Sequence, residues 1–286
     1  MANIFPPFDP GDDTSRRRRV RQLRMIPVRQ IFPNLVTLLA LCVGLTSIRM
    51  SIELRFDAAI AAIAIAAFLD GIDGRVARLL KSTSRFGAEL DSLTDFLNFG
   101  VAPAVLLYVW ALDELRALGW IVAMIFSLCG ALRLARFNVA LDAPDRPEWQ
   151  SNYFVGVPAP AGAMIAMLPI YLEFVGVPHG VLTAPVVLVY TLAIGLLMVS
   201  RVPTWSGKTV GRRIPRDYVL PVFVLAVIYA ALLFSFPFET MAISSFVYLG
   251  CLPLWWTTYH RRLAAEAASE KAKTDGDESG NDNDKP

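Results

Sequence analysis

Histidine and cysteine are scarce in this 286-residue sequence, which contains two histidines and three cysteines. The histidines are His179 and His260. The cysteines, each alone in an apolar segment, are Cys42, Cys129 and Cys251. Because each cysteine stands alone, the sequence gives no basis for a disulfide framework or a CxxC metal site. We expect the cysteines to be small buried hydrophobic side chains.

Charged residues are also few. They make up 18% of the chain, whereas 55% is hydrophobic and the mean hydropathy is +0.48. This composition lies outside the usual range of soluble proteins and predicts a protein that crosses a membrane several times. The net charge of +2 is small, and we expect no nucleic-acid partner.

Eight apolar stretches are long enough to cross a bilayer as helices, which takes roughly 20 residues each. They lie at about 32–50, 57–80, 88–111, 117–138, 157–175, 180–200, 217–236 and 240–258. The sequence therefore predicts an all-α fold, a polytopic bundle of about eight transmembrane helices.

Basic residues concentrate in alternate loops between these stretches. If the N-terminus is inside, the outer loops hold only Arg49, Arg55 and Arg116. The inner loops hold Arg75, Arg78, Lys81, Arg85, Arg133, Arg136, Arg146, Arg201, Lys208, Arg212, Arg213, Arg216, Arg261 and Arg262. The positive-inside rule then predicts that both termini are cytoplasmic.

Four aspartates lie within two of the apolar stretches, where an ionised carboxylate is costly without a cation or a partner. Asp70 and Asp73 are spaced i,i+3, and Asp91 and Asp95 are spaced i,i+4, so each pair projects from one face of its helix. A hairpin that turns near residues 82–83 puts Asp70 level with Asp95 and Asp73 roughly level with Asp91. We therefore expect all four carboxylates to converge.

Four carboxylates without an adjacent His or Cys form a hard-oxygen site, suited to Mg²⁺, Mn²⁺ or Ca²⁺. Gly74 and Gly87 remove side chains beside the aspartates, so that a ligand or another backbone can come close. Arg78 and Arg85 add positive charge, and metal ions with arginine are a common means of holding phosphate. The residues predict a site for a phosphoanhydride.

This pattern resembles the signature of the CDP-alcohol phosphatidyltransferase family, D-x2-D-G-x2-A-R-x8-G-x3-D-x3-D, at every fixed position. The matching residues are Asp70, Asp73, Gly74, Ala77, Arg78, Gly87, Asp91 and Asp95. Eight fixed residues at fixed spacing make the match specific. It implies a six-helix catalytic core in the membrane and covers about the first 200 residues.

The resemblance also implies roles for the carboxylates. Asp70, Asp73 and Asp91 would ligate two divalent cations, Mg²⁺ or Mn²⁺, with Asp95 near the second of them. Asp95 would act as the general base that deprotonates the acceptor hydroxyl. The acceptor oxygen would attack the phosphorus nearest diacylglycerol, and CMP would leave.

Further residues are implied to contact the nucleotide-linked lipid. Asn34 and Thr37 are i,i+3 in a P-N-x-x-T segment at the start of the first span, although an ordinary helix start would look the same. The contacts with CDP-diacylglycerol expected from the resemblance are Asn34, Thr37, Gly74, Arg78, Ser84 and Gly87.

A second motif points to the acceptor. RLARFN at the inner end of the fourth span, followed by FxGxPxP, resembles the branch of the family that transfers to serine and makes phosphatidylserine. Arg133 and Arg136 share a helix face by spacing, and with Asn138 they are candidates for binding the acceptor or the lipid phosphate. Arginines at a membrane interface also commonly snorkel to the headgroups, which gives these two a purely structural alternative.

Alternative functions remain open from the sequence. The same chemistry could use glycerol 3-phosphate, inositol phosphate or choline as the acceptor. A more remote alternative is an ion-coupled transporter, which predicts acids spread across the membrane and an internal repeat, and neither is present. A phosphohistidine route to phosphatidylserine requires paired HxKxxxxD motifs, which two scattered histidines exclude.

The expected organisation has four regions. Residues 1–30 form a basic cytoplasmic segment, 31–200 the catalytic core, 201–258 a basic loop with two additional spans, and 259–286 a disordered tail. The resemblance implies a homodimer in the cytoplasmic membrane of a bacterium or archaeon, with the active site facing the cytoplasm.

Overall fold

A computed structural model describes residues 28–80, 84–141, 153–205 and 216–281 of the chain. Helices account for most of these residues. In chain order they are α1 (Val28–Ile52), α2 (Phe56–Leu79), α3 (Arg85–Asp95), a π-helical turn (Phe96–Val101), α4 (Ala102–Trp110), a 3₁₀ turn (Leu112–Leu115), α5 (Ala117–Leu141), α6 (Ala159–Ala166), α7 (Leu168–Phe174), α8 (Thr183–Val199), α9 (Arg216–Ser235) and α10 (Pro237–Asn281).

Helix length and composition fit a protein that crosses the membrane repeatedly. Among the described residues, four helical segments are long and apolar enough to span: Ile31–Ile52, Arg85–Trp110, Ala117–Ala140 and Pro237–Leu263. Thr183–Val199 and Val219–Ser235 are apolar but shorter. The predicted polytopic helical bundle is therefore confirmed.

The bundle is built around two helix pairs. α1 and α2 form a closely packed hairpin, and α5 packs along α8. Between them lies a core of fully buried side chains that includes Ile63 of α2, Phe99 of the π turn, Phe126 of α5 and Tyr171 of α7. Asp70 and Asp73 follow Ile63 along α2, and Asp91 and Asp95 precede Phe99 in the third span, so the aspartates lie next to this core in sequence.

The third span is continuous but not uniformly α-helical. After Asp95 the hydrogen bonds widen into the π turn, and Pro103 then stands in the first turn of α4, where a missing amide proton does no harm. The side-chain amide of Asn98 donates to the carbonyl of Ala40 at 3.3 Å, which joins this turn to α1. One expected span therefore contains three helical segments.

The expected fifth span, at 157–175, is wrong as a single helix. α6 ends at Ala166 and α7 begins at Leu168, with Met167 as the residue between them. Pro169 explains the break, because proline fits the first turn of a new helix but not the interior of an existing one. Two short helices therefore replace one long helix.

A small antiparallel strand pair was not expected in an all-α fold. β1 (Tyr153–Val155) pairs with β2 (Pro203–Trp205), and both strands lie in loops that the sequence assigns to the inner side. Gly156 follows β1 with φ +80, a conformation that favours glycine, and its carbonyl accepts a 2.8 Å hydrogen bond from the Thr204 hydroxyl. FxGxPxP therefore marks the end of β1 and the start of α6.

The C-terminal tail also differs from expectation. We expected disorder after Tyr259, but α10 continues as a helix through Asn281, because alanine, glutamate and lysine in this stretch favour helix. The expected N-terminal basic segment lies almost entirely outside the described residues, as do five basic residues of the predicted inner loops, Lys81, Arg146, Lys208, Arg212 and Arg213. Of the three cysteines, Cys129 is buried as expected, Cys251 is half-buried and Cys42 is exposed.

Candidate active site

Three of the four predicted aspartates form one cluster. Asp70 near the end of α2 and Asp91 and Asp95 on α3 each place a carboxylate oxygen within 4.8 Å of those of the other two. The α2–α3 hairpin brings them together, since Asp91 and Asp95 are one helical turn apart and face α2. Three converging carboxylates are an appropriate ligand set for a hard divalent cation.

Asp70 and Asp95 lie within hydrogen-bonding reach of each other, as the hairpin register predicts. Oδ1 of Asp95 is buried and accepts no hydrogen bond from any described residue. Two carboxylates this close repel each other unless a proton or a cation lies between them. The residues present therefore fit a bound metal ion.

Asp73 lies beside this cluster but is held differently. It is only 4% exposed, and its Oδ2 accepts a 2.7 Å hydrogen bond from the hydroxyl of Thr37 on α1. Its charge acts on both Asp70 and Asp91. The expected convergence of four carboxylates is therefore a group of three with Asp73 alongside.

A cavity of about 180 Å³ opens beside Asp73 and Asp91. It is lined by Pro33, Asn34, Thr37, Asp73, Gly74, Ala77, Ser84, Gly87, Ala88 and Asp91. Five of the six residues expected to contact CDP-diacylglycerol are in this lining. Three different helices supply the walls, so the cavity depends on the packing of α1 against the α2–α3 hairpin.

The first turn of α3 forms one wall of the cavity. Ser84 is the N-cap, and its hydroxyl accepts a 3.0 Å hydrogen bond from the amide of Gly87. A Cβ on Gly87 would lie 2.9 Å from Oδ1 of Asn34, so the glycine permits α1 to approach this closely. The exposed amides of a helix N-terminus attract anions, which suits a phosphate ligand.

Arg78, the sixth expected contact, is placed at the rim. Its side chain is exposed, and its Nε donates a 3.0 Å hydrogen bond to the carbonyl of Gly74 one turn earlier. It does not line the cavity. A ligand that extends out of the cavity beyond Gly74 would meet this guanidinium.

The three candidates for binding the acceptor or the lipid phosphate make different contacts in the structure. Arg133 is 8% exposed and lies close enough to Asp95 to interact with its charge, with its guanidinium 5.4 Å from the ring centre of Phe137. Arg136 instead points to α8, where it donates a 2.7 Å hydrogen bond to the carbonyl of Val199. The structure therefore separates two arginines that spacing had placed on one face.

Asn138 contacts the acidic helix rather than the acidic cluster. Its Nδ2 donates a 2.9 Å hydrogen bond to the hydroxyl of Ser92 on α3. Ser92 follows Asp91 directly, so Asn138 fastens the inner end of α5 to the helix that carries two of the aspartates.

Two polar side chains near the site were missed from the sequence. Asn98 is fully buried in the π turn, and Tyr248 of α10 lies within electrostatic range of Arg133. A polar residue inside an apolar span is itself a signal, because such residues usually pair within the bundle. The partner could not be identified without the packing of α10.

Comparison with known proteins agrees with this geometry. Residues 30–198 match the family described as CDP-alcohol phosphatidyltransferase, and residues 217–253 match the one described as CDP-alcohol phosphatidyltransferase 2. The first match covers more than half of the 286 residues. The chain belongs to the CDP-alcohol phosphatidyltransferase family, as its aspartate motif predicts, and is a multi-pass membrane enzyme.

Curated relatives extend the similarity over most of the chain. Over 270 residues it is 40% identical to the CDP-diacylglycerol–serine O-phosphatidyltransferase of Mycobacterium leprae (strain TN), covering 92% of this chain and 86% of the relative. The protein of that name from Mycobacterium tuberculosis (strain ATCC 25618 / H37Rv) is 39% identical over 227 residues, which cover 78% of this chain and 77% of the relative. The protein of the same name from Helicobacter pylori (strain ATCC 700392 / 26695) is 34% identical over 219 residues, which cover 77% of this chain and 88% of the relative.

Proposed function

We propose that this enzyme transfers the phosphatidyl group of CDP-diacylglycerol to the hydroxyl of L-serine, giving phosphatidylserine and CMP. The observation that carries the proposal is the cluster of Asp70, Asp91 and Asp95 beside a cavity lined by Thr37 and Gly87. The names of the curated relatives support serine as the acceptor.

The carboxylates would hold two divalent cations, Mg²⁺ or Mn²⁺. Asp70, Asp91 and Asp95 are the candidate ligands by mutual distance, and Asp73 is the fourth. Bound metal ions would neutralise the pyrophosphate and stabilise the charge that develops on the attacking and leaving oxygens. Thr37 holds Asp73 in place through its hydrogen bond, so α1 takes part in ordering the ligands.

Binding of CDP-diacylglycerol falls to the cavity. Its pyrophosphate would lie against the first turn of α3, beside Ser84 and Gly87, and against Gly74, whose missing side chain leaves space. Arg78 at the rim would neutralise phosphate charge outside the cavity. Asn34 of α1 would supply a polar contact to the nucleotide.

Asp95 is the general base in this proposal. A serine hydroxyl is too weak an acid to attack phosphorus unaided, so a nearby carboxylate must accept its proton as the new P–O bond forms. Oδ1 of Asp95 has no hydrogen-bond partner among the described residues and is available for this task. The bond from phosphorus to CMP breaks, and the serine oxygen becomes the phosphodiester oxygen of the product.

The site would face the cytoplasm of a bacterial or archaeal cell across its inner membrane. The distribution of arginine and lysine in the sequence supports this orientation. We assign catalysis to residues 31–200 and an auxiliary role to residues 201–258, a division supported by the limits of the two family matches. The enzyme would work as a homodimer.

The test is CMP release from CDP-diacylglycerol by the purified protein in detergent. Serine, glycerol 3-phosphate, inositol phosphate and choline are offered in parallel, with Mg²⁺, with Mn²⁺ or with EDTA. We expect release with serine only, its loss in EDTA, and a fall of at least about 10²-fold for Asp95→Asn because the base is removed. Glu89→Gln on the exposed part of α3 is the matched control and should retain activity.

Each other outcome has a distinct meaning. Release of CMP with a different alcohol would show that serine is not the acceptor, while the reaction class would stand. Full activity of Asp95→Asn would exclude Asp95 as the base, and activity that persists in EDTA would exclude the role of metal ions.

A further inference from the structure

Tyr248 of α10 has a buried hydroxyl with no hydrogen-bond partner among the described residues. Its ring is fixed by an edge-to-face contact with Trp255, with 5.2 Å between ring centres. The hydroxyl of Thr204 lies beside the phenol and donates to the carbonyl of Gly156 at 2.8 Å, but the contact between the two hydroxyls does not have the geometry of a hydrogen bond. The phenol proton therefore has no well-placed acceptor among the described residues.

A buried phenol in this state costs free energy, because it has lost its hydrogen bonds to water and gained none in return. A buried polar group of this kind normally has a partner, such as an ordered water molecule, an ion or a bound ligand.

Arg133 is a charged side chain that interacts with this phenol. Its guanidinium is buried and interacts electrostatically with two groups, Asp95 and Tyr248. Asp95 is the base of the proposed reaction, and its Oδ1 is also buried without a partner. Arg133 therefore interacts with both an unsatisfied phenol and an unsatisfied carboxylate.

The chemistry of the pair selects an anion. A guanidinium presents N–H groups in a planar fork that matches a carboxylate, and a phenol adds one O–H donor. The lining of the cavity assigned to the nucleotide includes Asp91 but neither Arg133 nor Tyr248. The acceptor carboxylate and the nucleotide pyrophosphate would thus have separate positions.

We propose that Tyr248 and Arg133 bind the carboxylate of the acceptor and so hold its hydroxyl against Asp95. This inference rests on the proposed function and deepens it, because it names the residues that distinguish serine from alcohols without a carboxylate. It also gives the region 201–258 a direct part in substrate binding, through α10.

The first test is Tyr248→Phe, which removes the hydroxyl and keeps the ring against Trp255. We expect KM for serine to rise about ten-fold, which corresponds to the loss of one hydrogen bond to a charged group. KM for CDP-diacylglycerol and kcat should stay within about two-fold. Tyr229→Phe is the matched control, because that hydroxyl contacts Ser244 (3.1 Å) on exposed helix surfaces.

The second test measures the specificity for the acceptor carboxylate. Serinamide keeps the hydroxyl and amine of serine but lacks the carboxylate. The wild-type enzyme should prefer serine over serinamide in kcat/KM, and Tyr248→Phe should narrow that preference by about ten-fold. Arg133→Lys, which keeps the charge but loses the planar fork, should narrow it as well. A merely structural defect would lower kcat/KM for serine and for serinamide by the same factor.

The outcomes separate this inference from the proposed function. If the wild-type enzyme does not use serine, the proposed function is wrong. If it uses serine, but Tyr248→Phe and Arg133→Lys keep both the wild-type KM for serine and its preference over serinamide, the carboxylate site is wrong while the function stands. Should one variant fail to fold, as judged by its gel-filtration profile, the other decides.

Discussion

The hydroxyl of Thr37 donates a 2.7 Å hydrogen bond to Oδ2 of Asp73, which links α1 to the acidic end of α2. Both side chains are buried, and both line the cavity beside the carboxylate cluster. A hydrogen bond to a carboxylate fixes the direction of its free lone pairs, and carboxylates that ligate metals are usually oriented this way. Thr37 therefore belongs functionally with the aspartates, although it lies 36 residues from Asp73 in sequence.

Replacing Thr37 with valine keeps the shape of the side chain and removes the donor. We expect the concentration of Mg²⁺ that gives half-maximal activity to rise by about ten-fold, the lower end of the effect typical of such supporting residues. Thr46→Val is the control, since Thr46 lies on the same helix and bonds only its own backbone, at the carbonyl of Cys42. Equal Mg²⁺ requirements in the two variants would contradict the role of Thr37.

Gly87→Ala tests the close approach of α1 to α3. The new methyl group would lie 2.9 Å from Oδ1 of Asn34 and 3.1 Å from Oγ of Ser84, so one of these must move. We expect KM for CDP-diacylglycerol to rise several-fold, with little change in KM for serine, because only the nucleotide cavity is altered. Gly250→Ala on α10, where the added methyl meets nothing within 4 Å, should leave both KM values unchanged.

Arg136→Ala should weaken the fold rather than the reaction. The lost hydrogen bond to Val199 fastens α5 to the end of α8, and its removal should lower the free energy of unfolding by about 1 kcal/mol. The KM values for serine and CDP-diacylglycerol should not change. Thermal unfolding together with steady-state kinetics tests both statements, and a raised KM with wild-type stability would restore Arg136 as a substrate contact.

His179 gives the protein a pH-dependent contact far from the aspartates. It lies in the loop between α7 and α8, with Nδ1 3.0 Å from Oε2 of Glu173 and Nε2 3.5 Å from Oε1 of Glu114. The indole of Trp110 donates to the same oxygen of Glu173 at 2.8 Å. The hydrogen bond with Glu173, aided by the charges of Glu173 and Glu114, raises the pKa of His179 above its usual 6.5.

A raised pKa in the folded state means that protonation of His179 stabilises the fold. This contribution is fully present below about pH 6.5 and is lost as the pH rises through the pKa of the folded protein. The group is partly exposed, so solvent screening limits the effect to about 1 kcal/mol or less. The difference in Tm between the wild-type protein and His179→Gln should therefore shrink as the pH rises, and a constant difference would contradict the ion pairs.

The acidic motif could be predicted from sequence because its chemistry is local. Asp70, Asp91 and Asp95 lie on two adjacent helices, so helical periodicity and one hairpin are enough to bring them together. Asp73 departs from that expectation because its partner, Thr37, comes from a third helix. Contacts between helices distant in sequence are not fixed by periodicity.

The contacts of the two arginines were harder to predict for the same physical reason, because they depend on how distant helices pack. Spacing places Arg133 and Arg136 on a common face of α5. Because α5 packs between two neighbours, the two side chains can still turn to different partners, Asp95 for Arg133 and Val199 for Arg136. Tyr248 was missed because an apolar span gives no indication of which neighbour its tyrosine contacts. The strand pair was missed because each strand has three residues, too few to show an alternating pattern.

The π turn at Phe96–Val101 has a consequence for the span that contains it. Each residue of an α-helix advances about 100° around the axis, so the extra residue of a π turn rotates everything beyond it by about that angle. The half before the turn directs Asp91 and Asp95 to the cluster, and the half after it directs Leu106 and Leu107 to the core. The third span therefore meets two angular requirements that a uniform α-helix would couple, because its first half is oriented toward the aspartate cluster and its second half toward the core.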